Sequence, residues 1–215
     1  MNKILYVVVA VAALITGVLL FSQFNQQAKP EHALFYEQAR EIKPFIMTDH
    51  NGNDFSNDNF KGKWSWVFFG YTSCPDVCPT TLQELNFVYD DMKNIAKNTQ
   101  VILVSVDPKR DTTEKLAGYI KYFNKEFIAL NSGHEVLFPF ARNLGLMYAM
   151  NDGERAENNM YTVDHSASIV LINPNGNIAA IFQPHQVLGR LPTVEGDDLV
   201  SDFAKIVNLS GFNVN

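Results

Sequence analysis

FFGYTSCPDVCPTTLQEL, residues 68–85, holds Cys74 and Cys78, the only two cysteines among 215 residues. Three residues separate them, one more than in a Cys-x-x-Cys redox pair. Before the pair, KWSWVFFGY (63–71) is β-rich and apolar enough for a buried central strand. After it comes Pro79, a favoured first-turn residue, and then Leu82, Leu85, Val88, Tyr89 and Met92 at helical spacing. The pattern predicts a helix from about Pro79 to Lys97, so the pair stands where a strand ends and a helix begins. There the backbone N–H groups lack intrahelical partners and the helix dipole is positive, and both effects favour thiolate over thiol. With Cys78 in the helix and Cys74 just before it, the four-residue offset sets the sulfurs one turn apart on one side. They can close a strained disulfide or share a soft metal ion, copper(I) or zinc.

Working outward, FIMTDHNGNDF (45–55) predicts a hairpin turning at Asn51-Gly52. QVILVSV (100–106) is a second buried strand, and DPKRDT (107–112) turns into a helix over 113–123. A short strand follows over 127–130. Ser132 and Glu135 then read as a capping box for a helix ending near Gly145. Residues 146–150 read as a strand and NDGERAENN as a polar loop. NPNG (173–176) joins two strands, 166–172 and 178–182, into a hairpin, and 193–208 closes the chain as a helix. Strands alternating with helices predict an α/β domain with a mostly parallel central strand set and helices on both faces. This is a thioredoxin-like arrangement, a central sheet flanked by helices, enlarged by the N-terminal hairpin and an inserted helix.

The N-terminus has another character. Residues 4–21, ILYVVVAVAALITGVLLF, carry no charge over eighteen positions, enough for a transmembrane helix, whose lower limit is ~17 residues. Lys3 flanks one end and polar Ser22, Gln23 and Asn25 the other, which puts the N-terminus in the cytoplasm and the rest outside. No small-x-small exit follows Phe21, so an uncleaved anchor is the expectation over a signal peptide. The expected organisation is anchor 1–22, tether 23–42 with some helical character, and soluble domain 43–215. Composition is that of a globular chain, 47% hydrophobic with net charge −6 and no basic stripe, which argues against nucleic-acid binding. An extracytoplasmic compartment permits disulfides. A bridge across so short a loop constrains the unfolded chain least, so the pair is poorly explained as a structural staple.

Two thiolates are few ligands for a stable site. Of the five histidines, His32 falls in the tether, His50 in a hairpin turn, His134 at a helix start and His185 in a Pro-flanked loop; each reads as a surface residue. His165, in VDHSASIVLI at the entry to the strand before NPNG, would face the cysteine-bearing helix. On position alone, a ligand and a solvent-exposed loop histidine are equally open readings. Asp164 beside it reads as a group steering the imidazole or as a plain turn residue. Met92, Met147, Met150 and Met160 read as packing residues, with Met92 and Met147 at core positions. Trp64 and Trp66 read as packing residues, one per face.

Taken together, GYTSCPDVCPTTLQEL, SVDPKRDT and VDHSASIVLINPNG closely resemble the Sco/SenC family, copper-binding assembly factors of cytochrome c oxidase. The likeness covers about Phe45 to Asn208. It implies copper ligation by Cys74, Cys78 and His165, with copper(I) or copper(II) as the ion, and a single N-terminal membrane span. The expected partner is the copper-bearing subunit of cytochrome c oxidase, with other copper chaperones or thioredoxin-like reductases as further partners. Asp107 and Asp111 match the family's acidic turn and read as loop architecture. The N-terminus has no Arg-rich presequence, which points to a bacterial cytoplasmic membrane with the domain on the periplasmic side. The expected function is therefore that of a membrane-anchored copper metallochaperone.

Three rival functions compete with this one. A thiol-disulfide reductase with Cys74 and Cys78 as its redox-active pair would need no metal, but the spacing is longer than usual and no proline precedes the facing strand. A peroxidase of the peroxiredoxin kind needs a threonine three residues before its cysteine, where this chain has Tyr71 or Pro75. A binding module with inert buried cysteines would leave the three motifs unexplained.

Overall fold

The computed structural model describes residues 2–24, 28–151, 161–186, 189 and 191–212, with the side chains of the first helix described over 3–18. The elements in order are α1 (Asn2–Phe24), β1 (Ala33–Glu41), β2 (Ile46–Asp49), β3 (Asp54–Ser56) and a 3-10 turn (Asn57–Phe60). There follow β4 (Trp64–Gly70), α2 (Val77–Phe87), α3 (Tyr89–Ile95), β5 (Thr99–Ser105), α4 (Thr113–Phe123), β6 (Ile128–Asn131) and α5 (His134–Leu144). The last are β7 (Tyr148–Asn151), β8 (Thr162–His165), β9 (Ile169–Ile172), β10 (Asn177–Phe182) and α6 (Gly196–Ser210).

Eight strands form one sheet in the order β1-β10-β9-β4-β5-β6-β2-β3, and β7 pairs with β8 as a separate ribbon. Pairs β4/β5 and β5/β6 are parallel and the remaining pairs antiparallel. Every residue of β4 and β5 is buried, as strands covered on both faces require. The predicted N-terminal hairpin is β2/β3, with Gly52 at φ +85, and it adds to the far edge through β6. NPNG turns β9 into β10, with Gly176 at φ +81.

Several expectations are corrected. The segment read as a tether with helical character becomes β1 from Ala33 on, an edge strand antiparallel to β10. Its apolar residues are bunched at its start and its register shifts between Phe35 and Arg40, so it lacks the alternation that marks a strand. Its entry is held by Asp202 of α6, whose buried carboxylate accepts the backbone N–H groups of Glu31, His32 and Ala33 at 2.9, 2.6 and 2.9 Å. The helix expected from Pro79 to Lys97 divides into α2 and α3 at Val88, which leaves helical geometry (ψ 4°). α5 is capped by Gly133, with no side-chain cap from Ser132. Trp64 and Trp66 share a face, as residues two apart on a strand must, and both rings meet Phe203 of α6 edge-on at 5.4 and 5.1 Å. Of the loop NDGERAENN, all but Asn151 lies outside the described residues.

α1 runs twenty-three residues, and its described apolar side chains are exposed. Among the described residues, no helix is long and apolar enough to cross a membrane; the stretch with described side chains, 3–18, is itself shorter than a bilayer span.

Candidate metal centre

β4 ends at Gly70, and Tyr71 to Asp76 form the loop that feeds α2. Asp111, fully buried, fixes this loop: it accepts the Thr72 N–H at 3.0 Å, the Thr72 hydroxyl at 2.5 Å and the Ser105 hydroxyl at 2.7 Å. Asp107, also buried, accepts the Tyr161 hydroxyl at 2.5 Å and pairs with Arg110, whose guanidinium lies over the Tyr161 ring. Both aspartates of the DPKRDT turn therefore organise loops, the first tying the turn to β8 and the second holding the cysteine loop. Cys74 is half-buried and its N–H closes a turn on the Tyr71 carbonyl at 3.2 Å. Cys78 sits in the first turn of α2, fully buried.

His165 ends β8. The ribbon that carries it is anchored on α5: Tyr148, paired with His165 across the ribbon, stacks on Phe138 at 4.6 Å and meets His134 Nδ1 through its hydroxyl at 2.8 Å. The His165 ring is edged by Phe68 and Tyr71 at 5.9 and 6.0 Å. Its Nδ1 faces the Ser166 carbonyl at 3.2 Å, and its Nε2 lies 3.2 Å from the Cys78 sulfur. Because the carbonyl can only accept, the proton belongs on Nδ1, which leaves the Nε2 lone pair aimed at the sulfurs. Asp164 points elsewhere and accepts from Asn151 at 2.7 Å; the backbone of Ser166 orients the ring.

The ligand atoms of Cys74, Cys78 and His165 all lie within 4.8 Å of one another, and both cysteines are free. A three-coordinate ion ~2.3 Å from each sulfur and ~2.0 Å from nitrogen needs donor separations of roughly 3.7–4.0 Å. The Cys78–His165 separation of 3.2 Å is somewhat shorter than that and the other pairs fall within 4.8 Å, so small side-chain shifts suffice. The Cys74 thiol is lowered to about 4. The hydrogen bond from Cys78 is the main cause, opposed by burial and aided by the N–H groups of Cys78 and Asp76. The Cys78 thiol is pushed far up by that same hydrogen bond, by burial and by the charge on Cys74. The pair thus holds one negative charge, on the more accessible sulfur, and binding a cation through both sulfurs would require loss of the remaining proton.

Sequence reasoning missed Gly70. A Cβ there would meet the Cys78 sulfur and Phe68 at 3.0 Å and Leu103 at 3.1 Å, so the bare Cα lets the sulfur pack on the strand end without displacement. The visible signal was a glycine closing an apolar strand, which marks close approach. The other histidines divide. His50, expected on the surface, is buried and accepts the Ala129 N–H at 3.1 Å, completing the junction of β2 and β6. His134 is bound to Tyr148, while His32 and His185 lie together at the surface. Met92 is buried and Met150 half-buried, but Met147, expected in the core, is 80% exposed because it precedes β7 and Tyr148 takes the inward position. Met160 lies outside the described residues.

Fold and site together define a thioredoxin-like domain with a two-cysteine, one-histidine centre at the end of its sheet. The SCO1/SenC family profile matches residues 35–191, and the chain belongs to that family. It is 32% identical over 148 residues to a putative copper-binding protein of Stutzerimonas stutzeri, covering 68% of this chain and 71% of that one. Among solved structures, Arabidopsis thaliana ScoI with copper bound superposes with a TM-score of 0.68 at 28% identity, over 78% of this chain and 99% of that one. Bradyrhizobium japonicum ScoI with copper bound gives 0.61 at 30%, over 79% and 98%.

Proposed function

We propose that this chain binds copper through Cys74, Cys78 and His165 and, as a metallochaperone, supports assembly of the copper centre of cytochrome c oxidase. The convergence of two sulfurs and one imidazole nitrogen within 4.8 Å carries this reading. Thiolates favour soft ions such as copper(I) and zinc, and two similar members of the family hold copper. Three ligands leave the ion coordinatively open, so an acceptor's thiolates can enter before the donor's leave. Cys74, the more exposed sulfur, is the first to be exchanged. Oxidation of the pair to a disulfide takes two electrons and removes both thiolates, so loading and oxidation exclude each other.

The proposed setting is a bacterial cytoplasmic membrane. The uncharged run 4–21 within α1 serves as a single anchor, and the domain lies on the periplasmic side, facing the copper-bearing subunit of the oxidase. The deciding experiment loads the reduced full-length chain with copper(I) and presents it to an apo two-cysteine copper-site domain. One ion bound per chain, lost in Cys74→Ser and Cys78→Ser and delivered to the acceptor, is the expected result. Wild-type copper retention in both variants would defeat the reading.

A second reading is favoured by the low pKa of the accessible Cys74. As a thiol-disulfide reductase, the Cys74 thiolate attacks a partner disulfide, releasing one partner thiolate and forming a mixed disulfide. Cys78 then loses its proton and attacks Cys74, leaving a Cys74–Cys78 disulfide and a reduced partner. Stoichiometric reduction of an oxidised acceptor without metal transfer identifies this activity.

A further inference from the structure

His32, His185 and Asp198 meet far from the cysteines in sequence and on three different elements. His32 precedes β1, His185 follows β10, and Asp198 lies in the first turn of α6. His32 Nε2 is 3.3 Å from one oxygen of the Asp198 carboxylate, and His185 Nε2 is 2.7 Å from the other. The three ligand atoms lie within 4.8 Å of one another, and the ring centroids are 6.4 Å apart. From these residues we propose a second metal site, for a divalent ion of the zinc and copper(II) class.

The donor set determines the class. Two imidazole nitrogens and one carboxylate oxygen are borderline ligands, suited to zinc, copper(II), cobalt or nickel and poorly matched to the soft copper(I) that two thiolates select. One carboxylate holds both Nε2 atoms at its two oxygens, so a single ion between them meets three donors and keeps open positions for water. In the metal-free state His185 Nε2 donates its proton to Asp198; ligation moves that proton to Nδ1 or to solvent. The site is partly open, with the side chains of His32, His185 and Asp198 exposed by 39, 47 and 19%.

The backbone is pre-set for this arrangement. Asp202, one turn beyond Asp198, clamps the His32 N–H at 2.6 Å, and His185 N–H bonds the Thr193 carbonyl at 3.0 Å. Two of the three ligands are thus fixed through their main chains before any ion arrives. A cation beside a helix N-terminus is opposed by the dipole, but Glu195, Asp197 and Asp198 crowd that terminus with negative charge. Lys205 of α6 is engaged by Glu31 and Asp202 at 2.8 and 3.2 Å.

The position is informative. Sheet register runs Phe68↔Ile169 and Phe182↔Ile169, then Ala33↔Phe182, so this cluster lies at the same end of the sheet as the cysteine centre. Three strand spacings of ~4.8 Å separate β4 from β1, about 14 Å of sheet width. A bound ion would join the start of β1, the loop after β10 and α6, locking the segment that leads back toward α1 onto the domain.

The test uses the untagged, reduced full-length chain and zinc(II) or cobalt(II) alone. Two equivalents of zinc are expected in the wild type, falling to one in His185→Ala and in Asp198→Asn. In the Cys74→Ser/Cys78→Ser chain one equivalent remains, its cobalt(II) form lacks a thiolate charge-transfer band, and its affinity drops at least about tenfold when His185→Ala is added. Zinc should also raise the melting temperature of that double-cysteine variant in a His185-dependent way. Stoichiometry and melting shift that are the same with and without His185 would overturn the site. Because the cysteines are absent from the second arm, its result is independent of copper loading at the first centre.

Discussion

The sulfur of Cys78 lies 3.2 Å from Nε2 of His165, although 87 residues separate them in the chain. The contact joins the first turn of a helix to the end of a two-stranded ribbon. Each has supports besides this contact, α2 its burial against the sheet and the ribbon the stacking of Tyr148 on Phe138. A centre assembled in this way survives loss of one ligand as a fold while changing as a metal site.

His165→Ala is therefore expected to keep the melting temperature within a few degrees while weakening copper(I) binding by at least about tenfold, the scale on which even supporting groups of a metal centre act. Competition against a chromophoric copper(I) chelator, with circular dichroism as the control for folding, makes the measurement. Unchanged affinity would remove the imidazole from the site.

The charge asymmetry of the pair predicts which cysteine reacts. With its pKa near 4, Cys74 stays thiolate as pH falls from 9 to 5, and alkylation of the metal-free chain should label it throughout that window while Cys78 stays protected. Cys78→Ala removes the hydrogen bond that is the largest cause, so the reactivity of Cys74 should move to higher pH. Mass spectrometry of iodoacetamide-treated protein across the pH series reads both effects. Equal labelling of the two thiols at pH 6 would contradict the assignment.

Gly70→Ala places a methyl group 3.0 Å from the Cys78 sulfur with Phe68 and Leu103 closing the other sides. Overpacking of this kind costs about 1–3 kcal/mol, and here part of the displacement falls on a ligand atom. Both stability and copper affinity should decline, in contrast to His165→Ala, where affinity alone declines. Chemical denaturation together with the same chelator competition separates the two patterns.

Asp202 offers a test of the N-terminal docking. Burial raises its carboxyl, and the N–H groups of Glu31, His32 and Ala33 with Lys205 outweigh that effect, leaving it below the ordinary value of 3.8. A depressed native pKa means the stabilisation is complete above about pH 5 and is lost as pH falls through the native value. Asp202→Ala leaves the N–H groups of 31–33 without their acceptor and should destabilise the domain by about 2–3 kcal/mol at pH 7, with amide exchange of β1 accelerated most. In the variant, stability should depend less on pH between 5 and 3 than in the wild type.

Much of the fold was legible in local pattern. β4 and β5 are continuous apolar runs, NPNG and Asn51-Gly52 are turn signals with a stereochemical basis, and the helical spacing after Pro79 placed α2 and most of α3. What escaped was structure whose cause is remote. β1 is a strand because β10 offers it an edge and Asp202 captures its entry; nothing in ALFYEQARE marks it alone. Met147 and His50 exchanged their expected environments because a short segment's periodicity does not say which neighbour covers it.

The residues themselves determined the chemistry available: a lone pair of cysteines at a strand-to-helix junction, where unsatisfied N–H groups favour thiolate, and one histidine entering the next sheet strand. Ligand type and local geometry are short-range properties, written within a few residues. Only the tertiary structure decided that His165 turns its Nε2 to Cys78, that Ser166 and not Asp164 orients the ring, and that His32 and His185 share Asp198. Those contacts depend on how ribbon, sheet and helix pack, and packing is a property of the whole chain.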